Sequence, residues 1–361
     1  MHNLHTDIQQ RWVDDVNGLR MHVLQAGDPG NPCMLLLHGF PELAYSWRKV
    51  MVPLAQAGYF VLAPDLRGYG QTTGWDNSYT GNVASFGMLN LVQDCVALLD
   101  RVDVKRVACV VGHDFGSPLA AWCGLVRNDL FDSLVLMSAP FGGPPAVHRR
   151  GHDSIHDKLA ALPEPRKHYQ WYYSTATAEA DLLGAPEGLH NFLRAYYHMK
   201  SADWAANQPQ PLGGWRAEEL ARLPDYYVMP LGQTMPEAVA PALPEKSVSC
   251  TWLTDAELDV YVQAYRHSGF QGGLNWYRCS TDPDLAAPLR TFAGARLTLP
   301  TLFIAGQADW GIHQTPGSLQ RMQERVCTAY AGTHVLPGAG HWVQQEQPEA
   351  VVTSILDFLA A

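Results

Sequence analysis

Short runs of hydrophobic residues alternate along this chain with longer segments in which hydrophobic and polar residues recur at helical spacing. Several of the short runs are bounded by Gly, Pro, His or Asp and predict buried strands at residues 34–37, 59–63, 107–111, 134–137 and 302–305. The periodicity of amphipathic helices is found at residues 85–102, 115–127 and 349–359. This alternation predicts an α/β fold, with a mostly parallel sheet and helices on both of its faces.

The strand pattern is interrupted between residues 141 and 285, where tryptophan, tyrosine and proline accumulate. We interpret this segment as an inserted helical cap that folds over the C-terminal ends of the strands, because such sheets bind ligands at that edge. The expected organisation is therefore a core formed by residues 1–140 and 286–361 and a cap formed by residues 141–285. A separate domain packed elsewhere on the core is the alternative interpretation.

Composition and charge narrow the class of protein. Hydrophobic residues make up 47% of the 361 residues and charged residues 17%, which indicates a globular protein rather than a disordered one. The chain has 25 basic and 35 acidic residues and no basic stripe, so binding to nucleic acid or to an anionic membrane is disfavoured. No apolar run reaches the length of roughly 18 residues that a membrane span requires.

The expected compartment is the cytoplasm. Residues 1–7 lack the charged and apolar regions of a secretory signal. The seven cysteines are scattered and form no CxxC pair, which is typical of buried, reduced thiols. Nothing in the sequence indicates an oligomeric state.

The strongest local motif is Gly112-His113-Asp114-Phe115-Gly116, which connects a predicted strand directly to a predicted helix. This Gly-x-Asp-x-Gly string has the form of a nucleophile elbow with aspartate in place of the usual serine. An aspartate with an unperturbed pKa of about 4 is ionised at neutral pH and attacks without a base. Its attack on an sp³ carbon gives an ester that water later hydrolyses, so Asp114 favours the opening of an epoxide or the displacement of a halide.

Hydrolysis of that ester requires a base and oxyanion donors. His341 stands on a glycine-rich loop before the last helix, and Asp309 follows the strand at 302–305. The order nucleophile, acid, histidine is the one that accompanies this kind of elbow. The backbone N–H groups of Phe40, after the first predicted strand, and of Phe115 are the expected oxyanion donors.

In these motifs the chain resembles the epoxide hydrolases of the α/β-hydrolase superfamily, and the similarity follows nearly the whole chain in order. It includes the strings 38–42, 65–70 and 112–116, the loops at Asp309 and His341, and the cap segments 168–172 and 273–278. The resemblance implies an α/β-hydrolase fold with a cap, an epoxide and water as substrates, and no cofactor. It also implies that the phenols of Tyr169 and Tyr277 donate hydrogen bonds to the epoxide oxygen, with Tyr172 or Tyr173 as alternatives to Tyr169.

Two other functions are alternatives to epoxide hydrolysis. A haloalkane-type dehalogenase would use the same triad, but Phe115 lacks the indole N–H that helps to hold a leaving halide, and residues 138–141 lack a carboxylate. A ligand-binding or sensing protein of the same fold would have no need of Asp114, Asp309 and His341 together.

Aromatic residues in the cap favour an apolar or aryl epoxide. The candidates for the substrate pocket are Trp171, Tyr172, Trp276 and Trp342. His148, His152 and His156 are spaced four residues apart, but Gly151 interrupts the series and no carboxylates converge on it, so we expect no metal site.

Overall fold

The computed structural model describes residues 4–147, 154–244 and 250–361. Its strands are β1 (Gln9–Val16), β2 (Leu19–Ala26), β3 (Cys33–Leu37), β4 (Phe60–Pro64), β5 (Val107–His113), β6 (Leu134–Met137), β7 (Arg166–His168), β8 (Val228–Pro230), β9 (Thr301–Gly306) and β10 (Tyr330–Leu336). An eight-stranded sheet has the order β1-β2-β4-β3-β5-β6-β9-β10. β1, β2 and β4 pair antiparallel, whereas all pairs from β4 to β10 are parallel.

All of the predicted strands are present in this sheet, and the mostly parallel arrangement is confirmed. The packing of β4 explains why the sequence of this strand is continuously apolar. Phe60 and Leu62 pack into one hydrophobic cluster, while Val61 and Ala63 pack into a second cluster on the other face. A strand that is buried on both faces has no position at which a polar side chain reaches water.

Helices cover both faces of the sheet and make up most of the regular structure between β6 and β9. They are α1 (Arg48–Gln56), α2 (Met88–Arg101), α3 (Gly116–Val126), α4 (Ile155–Ala160), α5 (Tyr169–Tyr173), α6 (Ala178–Leu183), α7 (Gly188–Met199), α8 (Ala217–Leu220), α9 (Met235–Val239), α10 (Asp255–Ser268), α11 (Gln271–Thr281), α12 (Ser318–Arg321), α13 (Val343–Glu346) and α14 (Pro348–Ala360). The predicted helices at 85–102, 115–127 and 349–359 correspond to α2, α3 and α14.

The segment between β6 and β9 is not purely helical, which corrects one expectation. β7 and β8 pair antiparallel within it and form a separate two-stranded sheet. Each of these strands has only three residues, too few for an alternating pattern to stand out in the sequence. β7 ends at His168, immediately before the predicted donor Tyr169, so this small sheet fixes the start of α5.

The helical segment contacts the loops that follow the C-terminal ends of the parallel strands. The Tyr197 hydroxyl donates to the Pro41 carbonyl after β3 at 2.9 Å, and the Trp276 indole donates to the Arg67 carbonyl after β4 at 2.9 Å. These contacts put it over the edge of the sheet where ligands are expected. The exact core and cap boundaries, at residues 140/141 and 285/286, stay a prediction.

Two further features of the structure concern membrane-spanning helices and disulfide bonds. Among the residues described, none of the helices has the length and apolar character needed to cross a membrane. All seven cysteines are buried and none is in a disulfide.

Candidate active site

Asp114 lies at the sharp turn between β5 and α3. Its φ angle is +52°, in the left-handed region that non-glycine residues seldom occupy. The turn requires small neighbours, because a Cβ on Gly112 would collide with the Gly116 carbonyl and a Cβ on Gly116 would collide with the Leu37 carbonyl. The strand, the turn and the helix thus present the Asp114 carboxylate at the C-terminal edge of the sheet, as the elbow motif predicted.

The structure brings the three residues of the predicted triad together. The His341 Nε2 atom lies 3.3 Å from Asp114 Oδ2, and its Nδ1 atom lies 3.1 Å from Asp309 Oδ1. Asp309 Oδ1 also accepts the Gly311 N–H at 2.7 Å, which fixes the carboxylate in the loop after β9. His341 and Asp309 are each only 1% exposed. An imidazole held between two carboxylates in this way can receive and return a proton on the Asp114 side.

Electrostatics keep the Asp114 carboxyl ionised. Burial raises its pKa, but the hydrogen bond and charge of His341, together with the charges of Lys200 and His113, lower the pKa well below its usual range. Burial raises the pKa of Asp309, but the charge and hydrogen bond of His341, together with the hydrogen bonds of Gly311 and Ser138, lower this pKa overall. Asp114 is therefore available as a nucleophile without prior removal of a proton.

The two predicted oxyanion donors flank Asp114. The Phe40 N–H donates to Asp114 Oδ1 at 3.0 Å, so it already contacts the carboxylate on which an oxyanion would form. Phe115 occupies the N-cap of α3, where backbone N–H groups lack partners within the helix. Its ring packs edge-on against Tyr277, with 4.6 Å between centroids.

Tyr169 and Tyr277 reach the same cavity as Asp114. This cavity has a volume of about 140 Å³ and is lined by Asp114, Phe115, Pro118, Ala139, Pro140, Tyr169, Gln170, Tyr277, Gly311, Gln314 and Thr315. The rings of the two tyrosines are 5.7 Å apart. Burial, reinforced by the charge of Asp114, raises the pKa of both phenols well above the ordinary range. Both hydroxyls are therefore protonated at neutral pH and able to donate.

The alternatives to Tyr169 are Tyr172 and Tyr173, which follow it on α5. Tyr172 donates its hydroxyl to Asp181 at 2.9 Å, and Tyr173 is fully buried. Neither residue lines the cavity. The geometry therefore favours Tyr169 as the first cap tyrosine.

The predicted pocket residues are not found at this cavity, whose described lining includes none of Trp171, Tyr172, Trp276 and Trp342. The Trp276 and Trp342 indoles are buried and donate to the backbone carbonyls of Arg67 and Tyr197, respectively. Trp276 instead packs against a residue of the cavity lining, since its ring centroid lies 5.6 Å from that of Phe115. A buried indole N–H needs an acceptor, and these acceptors lie away from the cavity.

Trp171 packs among histidines rather than at the cavity. Its ring lies 3.9 Å from that of His156 and 5.1 Å from that of His168. His148 and His152, the other members of the histidine series, lie outside the described residues. Among the described residues, no group of three or more potential metal ligands was found.

Gln314 and Gln170 both contact Tyr169, and neither was predicted from the sequence. The Tyr169 hydroxyl donates to Gln314 Oε1 at 3.0 Å and accepts a hydrogen bond from Gln170 Nε2 at 3.3 Å. By contrast, no described residue makes a hydrogen bond to the Tyr277 hydroxyl. The two phenols are thus inequivalent before substrate binds, because only Tyr169 already has an acceptor. A single glutamine in a loop carries no recognisable motif.

A second buried ion pair contacts the loop of His341, and it was not predicted from the sequence. Glu42 Oε2 lies 2.6 Å from His113 Nδ1, and both side chains are fully buried. His113 Nε2 in turn lies 2.7 Å from the carbonyl oxygen of His341, to which it donates. Gln344 and Gln345 donate to the other Glu42 oxygen at 2.9 and 3.0 Å. This network ties the loop of His341 to the nucleophile elbow.

Glu42→Gln is expected to lower the free energy of unfolding by about 3 kcal/mol, because it removes one charge of a buried pair. In the folded protein, the charge of His113 holds the pKa of Glu42 below its ordinary 4.5 against the effect of burial. The charge of Glu42 holds the pKa of His113 above its ordinary 6.5, again against burial. The contribution of Glu42 is lost as pH falls through its folded pKa, and that of His113 is lost as pH rises from 6.5 through its folded pKa.

The pair therefore stabilises the fold most between pH 4.5 and 6.5. Urea unfolding of wild type and variant should show a stability difference that is largest in this range and narrows at higher pH. Glu164→Gln is the matched control, because Glu164 is 86% exposed in its ion pair with Arg166 and should change stability by less than about 1 kcal/mol. Equal effects of the two substitutions would contradict the prediction.

Comparison with known proteins identifies the family of this chain. Residues 32–348 match the family model described as the alpha/beta hydrolase fold. Epoxide hydrolase A of Mycobacterium tuberculosis is 33% identical over 96% of this chain and 95% of its own length, and epoxide hydrolase B of the same organism is 35% identical over 95% and 96%. The structure of potato (Solanum tuberosum) epoxide hydrolase I superposes with a TM-score of 0.76 at 32% identity, covering 98% of this chain and 99% of the potato chain.

A similar match is found to the crystal structure of epoxide hydrolase A from Mycobacterium thermoresistibile, with a TM-score of 0.77, 31% identity and 98% coverage of each chain. The fold and the site thus define this chain as an α/β hydrolase. Within that superfamily it belongs to the epoxide hydrolases, enzymes that hydrolyse ether bonds.

Proposed function

We propose that this protein hydrolyses an apolar or aryl epoxide to a vicinal diol through an ester on Asp114. The observation that carries the proposal is the position of the Asp114 carboxylate. One of its oxygens faces His341 and the other receives the Phe40 N–H, while two protonated phenols line the same cavity. The relatives that match over nearly the full chain are named epoxide hydrolases, which supports the same activity.

In the first step, a carboxylate oxygen of Asp114 attacks a carbon of the epoxide and forms the ester bond as the ring C–O bond breaks. The negative charge moves to the epoxide oxygen, which receives a proton from a phenol. Tyr277 has no competing hydrogen bond to a described residue, whereas Tyr169 must leave Gln314 before it donates. General-acid assistance of this kind typically contributes about 10²–10⁴-fold to the rate.

In the second step, His341 removes a proton from water, and the resulting hydroxide adds to the carbonyl carbon of the ester. The oxyanion that forms on Asp114 is stabilised by the Phe40 N–H and, as we propose, by the Phe115 N–H. Collapse of this intermediate breaks the ester C–O bond, and the imidazolium gives its proton to the departing diol oxygen. The Asp114 carboxyl then loses its proton, which returns through water to the phenolate left by the first step, so that the carboxylate, the imidazole and the phenol are all regenerated. Asp309 holds the His341 ring through Nδ1 during both proton transfers.

The lining of the cavity supports an apolar substrate. Phe115, Pro118, Ala139 and Pro140 contribute apolar side chains to this lining, and these side chains offer no hydrogen bonds. An epoxide would therefore be oriented by the two phenols at its oxygen and by shape elsewhere. We also propose that the enzyme acts in the cytoplasm, which is consistent with its seven buried, unpaired cysteines.

A substrate screen tests the proposal. Purified protein is incubated with aryl and alkyl epoxides and, separately, with chlorinated and brominated alkanes, and diol and free halide are measured. Diol from epoxides without halide release is expected, and Asp114→Ala should abolish it while the protein stays folded. Halide release would favour the dehalogenase, saturable binding without product would favour a sensing protein, and a folded, active Asp114→Ala enzyme would exclude Asp114 as the nucleophile.

A further inference from the structure

Lys200 is a buried lysine beside the candidate active site, and its ammonium is enclosed by aromatic rings. The residue directly follows α7 and is only 3% exposed. Its Nζ atom lies 5.1–5.6 Å from the ring centroids of Tyr196, Tyr226, Tyr227 and Trp342. These distances are within the range of about 6 Å in which a ring attracts a cation. We call these four rings the aromatic cage.

The aromatic cage takes the place of a counter-ion. Within the described part of the chain, no carboxylate pairs with the Lys200 ammonium, and no protein atom accepts a hydrogen bond from it. Burial of an unpaired charge is unfavourable, so such a group persists only where its surroundings compensate or where its charge has a use. The rings offset part of the cost of burying the ammonium. The location of Lys200 next to the His341 loop indicates what its charge is used for.

The cage is attached directly to the catalytic loop. The Lys200 carbonyl accepts the His341 N–H at 2.8 Å, and Trp342, one wall of the cage, is the residue after His341. The half-buried Glu346 carboxylate joins the two segments by accepting the backbone N–H groups of Ala202 and Gly340 at 2.8 and 2.9 Å. The Lys200 backbone is therefore fixed next to the His341 loop, and the aromatic cage holds the ammonium at the end of the side chain.

We propose that Lys200 is a positioning residue for ester hydrolysis, in which its carbonyl fixes the His341 backbone and its caged ammonium favours negative charge on Asp114. This inference rests on the proposed route through an Asp114 ester. The pKa of Asp114 supports it, because burial raises that pKa whereas His341 and then the positive charge of Lys200 lower it.

The charge of Lys200 should act in opposite directions on the two steps. Alkylation removes the negative charge from Asp114, so a nearby cation that stabilises the carboxylate slows this step or leaves it unchanged. Hydrolysis of the ester puts negative charge back on Asp114, first in the oxyanion and then in the carboxylate, so the same cation accelerates it. A residue that only maintained the fold would not divide its effect in this way.

Single-turnover kinetics with one aryl epoxide test the inference in the full-length protein. Lys200→Met keeps an unbranched apolar side chain and the backbone carbonyl but removes the charge. Ester formation on Asp114, followed by mass spectrometry of quenched samples, should proceed at the wild-type rate or faster. Ester breakdown should slow about tenfold, which corresponds to about 1.4 kcal/mol in the barrier. Lys200→Arg, which retains the charge, should restore breakdown toward the wild-type rate.

Lys49→Met is the matched control, since Lys49 also joins the cap segment to the C-terminal region by donating to the carbonyls of Trp252 and Gln345. It should leave the ratio of the two rate constants unchanged. Lys200→Gln provides a second neutral variant if Lys200→Met does not fold. Equal slowing of both steps in the neutral variants, unchanged breakdown, or failure of Lys200→Arg to restore breakdown would overturn the role of Lys200. Absence of any Asp114 ester in the wild-type enzyme and in every variant would instead overturn the proposed function.

Discussion

His341→Gln enzyme mixed with an epoxide substrate is expected to gain one substrate mass per chain and to release almost no diol. Ring opening needs no base, because the Asp114 carboxyl is already ionised in the folded protein. Ester hydrolysis needs His341 to activate water, and removal of a general base typically costs about 10²–10⁴-fold. The ester should therefore accumulate, and intact-mass and peptide mass spectrometry should locate the added mass on the peptide that contains Asp114.

The control for this experiment is the double variant Asp114→Ala/His341→Gln, which keeps the same altered loop but lacks the nucleophile and should stay unmodified. A mechanism in which water attacks the epoxide directly forms no covalent adduct. If His341→Gln binds the epoxide and yet keeps its original mass, the two-step mechanism is wrong even though the family assignment stands.

The double substitution Tyr169→Phe/Tyr277→Phe should nearly stop ring opening. The alkoxide that forms on the epoxide oxygen would then have no phenol to protonate it, and we expect a loss of at least about 10²-fold in the rate of alkylation. Each single substitution should have a smaller effect, because the remaining phenol partly compensates. Stopped-flow or quenched-flow measurement of ester formation isolates this step from hydrolysis.

The two single variants should also differ from each other. Tyr169 begins with its hydroxyl bonded to Gln314, whereas Tyr277 has no competing acceptor among the described residues. Tyr277→Phe should therefore slow alkylation more than Tyr169→Phe does. Tyr172→Phe is the matched control, because its hydroxyl bonds Asp181 outside the cavity and alkylation should be unaffected. A double variant that forms the ester at the wild-type rate would show that these phenols are not the acid donors.

The parallel part of the sheet was predictable from the sequence alone, and so was the proximity of the three residues of the predicted triad. β3, β4, β5, β6 and β9 are buried on both faces, so their sequences are continuously apolar and easily recognised. The triad residues follow such strands or stand on the loop before the last helix, and the glycines around Asp114 are required by its backbone conformation. Each of these signals depends on residues that are close together in the chain, so it can be recognised in the sequence.

Edge strands were not predicted because their patterns are weak. Most residues of β1 are exposed, and six of the seven residues of β10 are exposed or half-buried. A strand at the edge of a sheet is defined by its pairing with a neighbour, here β2 for β1 and β9 for β10. That pairing is made by backbone hydrogen bonds, and the side chains of the edge strand carry little record of it.

The cap residues that face the cavity could not be identified before the packing of the cap on the core was known. Trp276 and Tyr277 are neighbours on α11, yet the indole bonds the Arg67 carbonyl while the phenol lines the cavity with Asp114. Gln314 and Lys200 acquire their importance from contacts with Tyr169 and with the loop of His341, which are far from them in sequence. The orientation of a side chain on an inserted helix depends on how that helix packs on the core, and burial alone does not distinguish a pocket from a packed interior.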